Sequence, residues 1–171
     1  MMIIDIERIP KEGLHIDRDF ELESSELIEE EAVLLEPLHA EIDLHKEGDE
    51  LFIKGKIHTV VSFICSRCLS PFEYLVDSEF DLVYLPEELF EIKEELTDDD
   101  LDLFFYVENQ INLREIVLEQ LNLTFPMKPL CSPDCQGICP ICGQVINEGN
   151  CRCIRKSTDP RLEKLKTFIK R

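Results

Sequence analysis

The sequence predicts an α+β fold, mainly antiparallel β-sheet with a few short helices, that also carries two four-cysteine zinc sites of the knuckle and ribbon type. Apolar and polar residues alternate with a period of two through much of residues 38–85, which is typical of strands with one buried face. Residues 112–123 have helical spacing instead. The 8 cysteines form close pairs, and each pair can present two thiolates to a metal ion from one tight turn.

Three long strands are expected in the alternating region. Residues 38–44 form the first, a Lys-Glu-Gly-Asp turn at 46–49 ends it, and residues 51–63 form the second. Residues 72–84 form the third. The cysteine pair at 65–68 lies between the second and third strands, so its metal knuckle is expected to serve as the hairpin turn as well.

The flanking segments carry shorter patterns. Ile3–Ile9 is expected to add a strand, and the Glu-rich segment Leu22–Leu35 is expected to form a short helix that leads into a strand. Glu87–Asp102 is strongly acidic and predicts a loop with a frayed helical turn. Asn112–Leu123 predicts an amphipathic helix with Asn112 as its N-cap.

Spacing divides the cysteines into two sets of four. One set falls within residues 139–153 and is ribbon-like, and its members are Cys139, Cys142, Cys151 and Cys153. The other set must be assembled by folding across residues 69–130, and its members are Cys65, Cys68, Cys131 and Cys135. Structural zinc requires four soft ligands in a tetrahedron, so two Zn²⁺ ions are expected.

Disulfides, thiol redox chemistry and iron–sulfur ligation are the alternatives for the same thiols. Met1–Gly13 is charged and lacks an apolar core, so we expect no signal peptide and a cytoplasmic location, where thiols stay reduced. A redox pair needs an exposed, low-pKa thiol at a helix start, whereas Cys65 and Cys68 lie between strands. The tight ribbon spacing favours zinc over an iron–sulfur cluster.

Charge is unevenly distributed within a net charge of −19. Residues 1–151 hold 10 Lys/Arg against 35 Asp/Glu, whereas residues 152–171 hold 8 basic residues against 2 acidic ones. An acidic body repels nucleic acid and attracts basic proteins, while a basic tail can bind phosphate. The candidate nucleic-acid contacts are Arg152, Arg155, Lys156, Arg161, Lys164, Lys166, Lys170 and Arg171. The alternative is a helix, capped by Asp159, that packs its apolar stripe on the body and leaves these charges solvated.

Five blocks of residues 38–171 carry a family resemblance. They are Cys65-Ser-Arg-Cys-Leu-Ser-Pro-Phe72, Ile111-Asn-Leu-Arg-Glu115, Leu123-Thr-Phe-Pro-Met-Lys-Pro-Leu-Cys131, Cys135-Gln-Gly-Ile-Cys-Pro-Ile-Cys-Gly143 with Asn147, and Asp159-Pro-Arg-Leu162. In this order they resemble the YceD family, the large ribosomal RNA subunit accumulation proteins of bacteria and plastids. The resemblance implies a role in accumulating or processing 23S ribosomal RNA, with that RNA, its precursor or an early assembly intermediate as partner.

The resemblance carries over no catalytic residue. No apolar run approaches the length of a membrane span, so no membrane partner is expected, and no small-molecule substrate is expected either. Some family members keep only the first two cysteine pairs, which implies that these pairs form one site. Two alternatives stay open: a chaperone for a basic ribosomal protein, favoured by the acidic body, and a thiol or zinc redox switch.

A non-enzymatic binding factor is the expected class. Four-cysteine sites leave no open coordination position for a substrate, and the 6 glycines form no phosphate-binding loop. Three segments are expected: a β-rich body with one helix (1–130), a zinc-ribbon-like module tied to it through Cys65 and Cys68 (131–156), and a basic helix (157–171). The histidines are expected to be solvated, and they are His15, His39, His45 and His58.

Overall fold

A β-sheet and one α-helix organise the part of the chain that the computed structural model describes, which is residues 2–87, 103–149 and 151–153. The strands are β1 (Ile3–Asp5), β2 (Leu14–Phe20), β3 (Val33–Leu34), β4 (Leu38–Glu47), β5 (Glu50–Ile64), β6 (Pro71–Pro86), β7 (Leu103–Tyr106) and β8 (Gln110–Asn112). The helix is α1 (Leu113–Leu123).

The main sheet is mostly antiparallel. Its strand order is β2-β4-β5-β6-β7, and β3 pairs with β5 outside this path. Only the β6–β7 contact is parallel within it, and β1 and β8 form a separate antiparallel pair. The expected α+β class with a mainly antiparallel sheet is therefore confirmed.

The hairpin of β5 and β6 determines where the first cysteine pair lies. Its register runs from Leu51 opposite Tyr84 to Ile64 opposite Pro71, which leaves residues 65–70 as the connecting turn. Odd-numbered residues of β5 are buried and even-numbered residues are more exposed. The knuckle therefore lies at the far end of the longest hairpin, as the sequence predicts.

The inner face of the sheet forms one core with α1. The apolar residues of β4 are at most 1% exposed, and they are Leu38, Ala40, Ile42 and Leu44. The helix adds its own buried stripe of Leu113, Ile116, Val117 and Leu121. Removing this apolar area from water is the main force that holds helix and sheet together. The three long strands and the helix expected from the sequence are confirmed.

The start of α1 is fixed by hydrogen bonds. The Asn112 side chain accepts from the Arg114 backbone N–H (3.3 Å), so Asn112 is the N-cap that the sequence predicts. The Arg114 guanidinium donates to both carboxylate oxygens of Glu26 (2.7 and 2.5 Å). This hydrogen bond lowers the pKa of Glu26 to about 2. The pair fastens the loop before β3 to the helix.

The strand expected at Ile3–Ile9 is shorter in the structure, where β1 ends at Asp5. The chain leaves the extended conformation after Asp5, whose carboxylate accepts from the Glu7 backbone N–H (3.0 Å). A 3-10 turn follows at Ile6–Arg8 and places Ile6 in the core at 0% exposure. Local capping by Asp5 therefore overrides the apolar run that suggested a longer strand.

The helix expected within Leu22–Leu35 is wrong, although the strand after it exists as β3. A single 3-10 turn, Ser24–Glu26, stands in its place. Glu23 and Glu26 cap this turn reciprocally, and the chain returns to an extended conformation at Leu27. The high Glu content favoured a helix, but these residues satisfy the backbone in one turn instead.

The strands β2, β7 and β8 are absent from the sequence-based expectations. In β2, Arg18 interrupts the inner, apolar positions; its guanidinium lies 5.5 Å from the centre of the Phe20 ring. Apart from Glu87, the acidic segment Glu87–Asp102 lies outside the described residues, as does the expected C-terminal helix. No helix within the described ranges is long and apolar enough to span a membrane.

Replacing Gly55 with alanine is expected to destabilise the sheet. A Cβ added at Gly55 would lie 2.3 Å from Cζ of Phe80 on the neighbouring strand, so the ring must move. We expect a loss of about 1–2 kcal/mol in the free energy of unfolding, measured by urea denaturation.

The matched control combines Gly55→Ala with Phe80→Ala. With the ring removed, the added methyl group has room, so Gly55→Ala should cost almost nothing in that background. An equal cost in both backgrounds would show that the close approach of Phe80 is not the reason for the glycine.

Candidate metal centres

The eight cysteines converge into two groups of four, with the membership expected from their spacing. In each group all four Sγ atoms lie within 4.8 Å of one another. The first group, site 1, comprises Cys65, Cys68, Cys131 and Cys135; the second, site 2, comprises Cys139, Cys142, Cys151 and Cys153. Either group could hold a metal ion. Three cysteines of site 1 are buried, whereas site 2 is more open.

The first knuckle is a tight turn closed by two backbone hydrogen bonds. Leu69 N–H donates to the Cys65 carbonyl (2.9 Å), and Cys65 N–H donates to the Ser70 carbonyl (3.0 Å). The turn requires a left-handed residue directly after its second cysteine, and Leu69 adopts φ 60 there. Ile64 pairs with Pro71 just outside the turn. Both thiols are thereby pointed to the same side.

The first pair of site 2 repeats this turn with the same offsets. Gly143 N–H donates to the Cys139 carbonyl (2.8 Å), and Cys139 N–H donates to the Gln144 carbonyl (2.8 Å). Gly143 occupies the left-handed position with φ 75. Ile138 and Val145 form the flanking bridge. Two different stretches of sequence thus form the same type of backbone turn, and each turn presents two sulfurs.

Protein contacts hold the two halves of site 1 together independently of the thiols. The backbone N–H and the Oγ of Ser66 both donate to the Pro129 carbonyl, each at 2.9 Å. The Arg67 guanidinium donates to the Cys135 carbonyl (2.7 Å). A Cβ at Gly137 would lie 2.9 Å from the Arg67 carbonyl oxygen, so only glycine allows this approach. These contacts place the second pair of cysteines against the first knuckle without involving the thiols.

Aromatic packing brings the chain from α1 to the first knuckle. The ring of Phe125, just after the helix, meets that of Phe63 edge to face with centroids 4.9 Å apart. Phe72 packs against both the main core and the buried cysteines of site 1. These contacts make site 1 continuous with the core and explain how residues far apart in sequence meet.

Site 2 is held to site 1 by a short ladder of hydrogen bonds. The Asn147 side chain accepts from the Gln136 backbone N–H (2.9 Å). The Ile146 N–H donates to the Gly137 carbonyl (2.9 Å). Asn147 therefore has a structural role, which accounts for its place among the blocks that resemble the family.

Backbone donors favour ionised sulfur in the first knuckle of site 1, where hydrogen bonds lower the pKa of both Cys65 and Cys68. Burial raises the pKa of the Cys65 thiol, but backbone hydrogen bonds from Cys131, Cys68 and Arg67 outweigh it and lower that pKa to about 6. Hydrogen bonding to Cys68, together with burial, raises the pKa of Cys131 to about 12. The four sulfurs are too close to ionise together unless a cation lies among them.

The same pattern recurs in site 2. Backbone hydrogen bonds from Cys142 and Ile141 lower the pKa of Cys139 to about 6. Hydrogen bonding to Cys142, with burial, raises the pKa of Cys153 to about 12. In both sites the first cysteine of the knuckle has a lowered thiol pKa, which favours the deprotonation that a metal ligand requires.

The other predicted site residues are only partly described. Arg152 is exposed beside site 2, and the seven further basic residues of the tail lie outside the described residues. The four histidines lie on the outer face of β2, β4 and β5 and are half-buried or exposed. Sequence reasoning missed Arg67 and Gly137. The Cys-x-x-Cys spacing that residues 65–68 and 139–142 share is the sequence signal for the repeated turn.

Comparison with known protein families identifies the family of this chain. The family described as "Large ribosomal RNA subunit accumulation protein YceD" matches residues 53–169. This chain belongs to the YceD family. No solved structure matches it.

Curated relatives of this YceD-family chain are longer than the chain itself. Uncharacterized proteins of Mycobacterium tuberculosis and Mycobacterium bovis are 30% identical over 129 residues, covering 73% of this chain and 59% of each relative. A maize protein named "Large ribosomal RNA subunit accumulation protein YCED homolog 1, chloroplastic" is 22% identical over 143 residues, covering 68% of this chain and 48% of its own length. The chain thus spans only about half to three fifths of these relatives.

Each four-cysteine group is expected to bind one metal ion. Purified protein should carry two ions per chain by elemental analysis, because both groups offer four convergent sulfurs. Cys68→Ser and Cys142→Ser should each remove one ion. Cys68→Ser should also lower the unfolding midpoint more, because site 1 is buried and joins distant segments. The control is Ser132→Ala, next to Cys131, which should keep both ions; loss of both ions in Cys142→Ser would contradict two separate sites.

Leu69→Gly is expected to stabilise the first knuckle. Leu69 is 63% exposed, so little packing is lost, and glycine adopts its left-handed conformation (φ 60) without strain. We expect a gain of about 0.5–1 kcal/mol in the free energy of unfolding. Leu69→Ala is the matched control, because it removes the same side chain but keeps the strain; equal effects of the two variants would contradict this explanation.

Proposed function

We propose that this protein is a non-enzymatic, zinc-binding factor in large ribosomal subunit biogenesis, where it promotes accumulation or processing of 23S ribosomal RNA. The carrying observation is membership of the YceD family together with two four-cysteine groups on the matched residues. The names of the family and of the maize relative both refer to accumulation of large-subunit ribosomal RNA.

Zinc is the proposed metal because the sulfur geometry fits a tetrahedron. A tetrahedral site with Zn–S bonds of about 2.3 Å places its sulfurs about 3.8 Å apart. The Sγ distances are 3.8 Å for Cys65–Cys135 and 3.6 Å for Cys68–Cys131. In site 2, Cys142 and Cys151 are 3.8 Å apart. Disulfides require about 2.05 Å, and a multi-iron cluster would hold the thiolates farther apart.

A structural role for the metal favours binding over catalysis. Four sulfur ligands complete the coordination of zinc and leave no position for water or substrate. The proposed role of the zinc is to lock the segment after α1 onto the β5–β6 hairpin. A reducing compartment such as the cytoplasm suits eight thiols that act as ligands.

The proposed RNA contact is the basic end of the chain, residues 152–171. Its surplus of Lys and Arg contrasts with the acidic remainder of the sequence. Phosphate binding by Lys and Arg needs no sequence recognition, so the tail would supply affinity while the folded part supplies position. The division into a body (1–130), a ribbon-like module (131–156) and a basic helix (157–171) stays a prediction.

Association with large-subunit precursors tests the proposed function. Tagged protein should sediment with particles that contain precursor 23S ribosomal RNA and crosslink to that RNA, and depleting the protein should lower 23S relative to 16S ribosomal RNA. Wild-type protein should restore the ratio and Cys68→Ser should not. Normal 23S levels after depletion, with no RNA crosslink, would contradict the proposal.

Reversing tail charges tests the RNA contact separately. Changing Lys164, Lys166, Lys170 and Arg171 to Glu should weaken crosslinking to RNA at least tenfold. Each phosphate contact that is lost also loses the favourable release of a counterion from the RNA. The same four residues changed to Gln should have a smaller effect. Unchanged association of the Glu variant would mean that the tail does not bind RNA.

A further inference from the structure

The outer face of the sheet, opposite the core, carries a dense array of ionisable side chains. Three rows cross β2, β4, β5 and β6 in register. They are His15–Asp43–Lys54–Asp81, Asp17–Glu41–Lys56–Glu79 and Asp19–His39–His58–Asp77. We name these residues the charged array. It contains seven carboxylates, two lysines and three histidines.

The two lysines are neutralised by one side of the array. Lys54 lies 2.9 Å from the carboxylate of Asp81, and Lys56 contacts Glu79. These pairs join β5 to β6. The β2–β4 half adds four carboxylates, and they are Asp17, Asp19, Glu41 and Asp43. Glu41 and Asp43 lie opposite Lys56 and Lys54, but these two lysines are already paired with carboxylates of β6.

Histidines in this half show that its potential is negative. His15 Nδ1 lies 2.7 Å from Asp43, and this hydrogen bond raises the pKa of His15. His39 Nδ1 lies 2.9 Å from Asp19, which raises the pKa of His39. The acceptor atoms of Asp17 and Glu41 and the His39 ring lie within 4.8 Å of one another. This half of the face therefore favours positively charged groups.

An exposed apolar band adjoins the charged array. Two residues beyond its last row, Val60 of β5 pairs with Leu75 of β6. On the other side, Leu35 donates its N–H to the Val60 carbonyl (2.9 Å). Leu35 and Leu75 remain 48% and 60% exposed. Carboxylates and exposed apolar side chains thus lie side by side on one open sheet face.

We propose that this face docks a lysine- or arginine-rich segment of a protein, with apolar side chains of that segment resting on the Leu35–Val60–Leu75 band. RNA is disfavoured here, because the carboxylates repel phosphate. A basic segment gains both charge complementarity and apolar burial. The inference rests on the proposed function for its setting, since ribosome assembly supplies proteins of this chemistry, and it gives the face a partner distinct from the RNA.

The test uses full-length, metal-loaded protein and three labelled synthetic peptides of equal length. The first alternates Lys and Ser and carries three Leu at one end; the second replaces these Leu with Ser; the third replaces Lys with Glu. Binding is followed by fluorescence anisotropy at fixed ionic strength, and the contact surface is mapped from amide shifts in NMR spectra. The first peptide should bind most tightly and shift amides of β2, β4 and the Leu75 region, and the third should not bind.

The decisive variant is Asp17→Asn with Glu41→Gln and Asp43→Asn. It should weaken the first peptide about tenfold, as three partly screened charge contacts would. The matched control, Glu29→Gln with Glu30→Gln and Glu31→Gln, removes the same charge from an exposed loop and should change affinity less than about twofold. Leu75→Ser should weaken the first peptide but not the second.

Equal weakening by the two triple variants would overturn the proposal, because it would mean attraction by net charge alone. An RNA duplex that shifts the same amides would overturn it too. Sedimentation with large-subunit precursors is measured alongside. If the peptide does not dock but the protein still sediments with precursors, only the docking proposal is contradicted. If the peptide docks but the protein does not sediment with precursors, only the proposed function is contradicted.

Discussion

The convergence of Cys65, Cys68, Cys131 and Cys135 is the constraint on which the remaining architecture depends. Two of these thiols lie at the tip of the longest hairpin and two follow the helix, so closing the group ties the segment after the helix to the tip of the hairpin. Four thiolates at such distances repel one another unless a cation lies between them. Metal binding at site 1, as proposed, would therefore couple deprotonation of the thiols to the docking of residues 129–139.

Protein contacts around site 1 hold the opposite segment in place, but they do not supply the cation that four close thiolates need. Ser66 and Arg67 bind carbonyls of the opposite segment, and Gly137 permits the close approach. Site 2 then repeats the same turn a few residues later and is joined through Asn147. Site 1 therefore contacts both the core and site 2, whereas site 2 is joined to the rest of the described residues through the segment that carries site 1. Damage to site 1 should therefore spread farther than damage to site 2.

Sequence patterns predict the parts of the fold that local rules decide. Alternation along 38–44 and 51–63 identifies half-buried strands, and Asn112 marks the helix start, because burial and capping act over a few residues. The helix expected within Leu22–Leu35 fails because Glu23 and Glu26 cap a single turn. The grouping of cysteines follows from spacing, but Arg67 and Gly137 could not be found, because their partners lie far away in sequence. Apart from Arg152, the basic residues of the tail lie outside the described residues, so the role of the tail depends on experiment.

X-ray absorption at the metal edge of the purified, full-length protein tests the central claim most directly. The account predicts zinc surrounded by four sulfurs at about 2.3 Å in both sites, with no nitrogen or oxygen neighbour. In Cys142→Ser, which should lose one of the two ions, the zinc absorption edge should be half as high per chain. Iron–iron scattering, light-atom ligands in place of sulfur, or sulfur–sulfur bonds of about 2.05 Å without metal would contradict it.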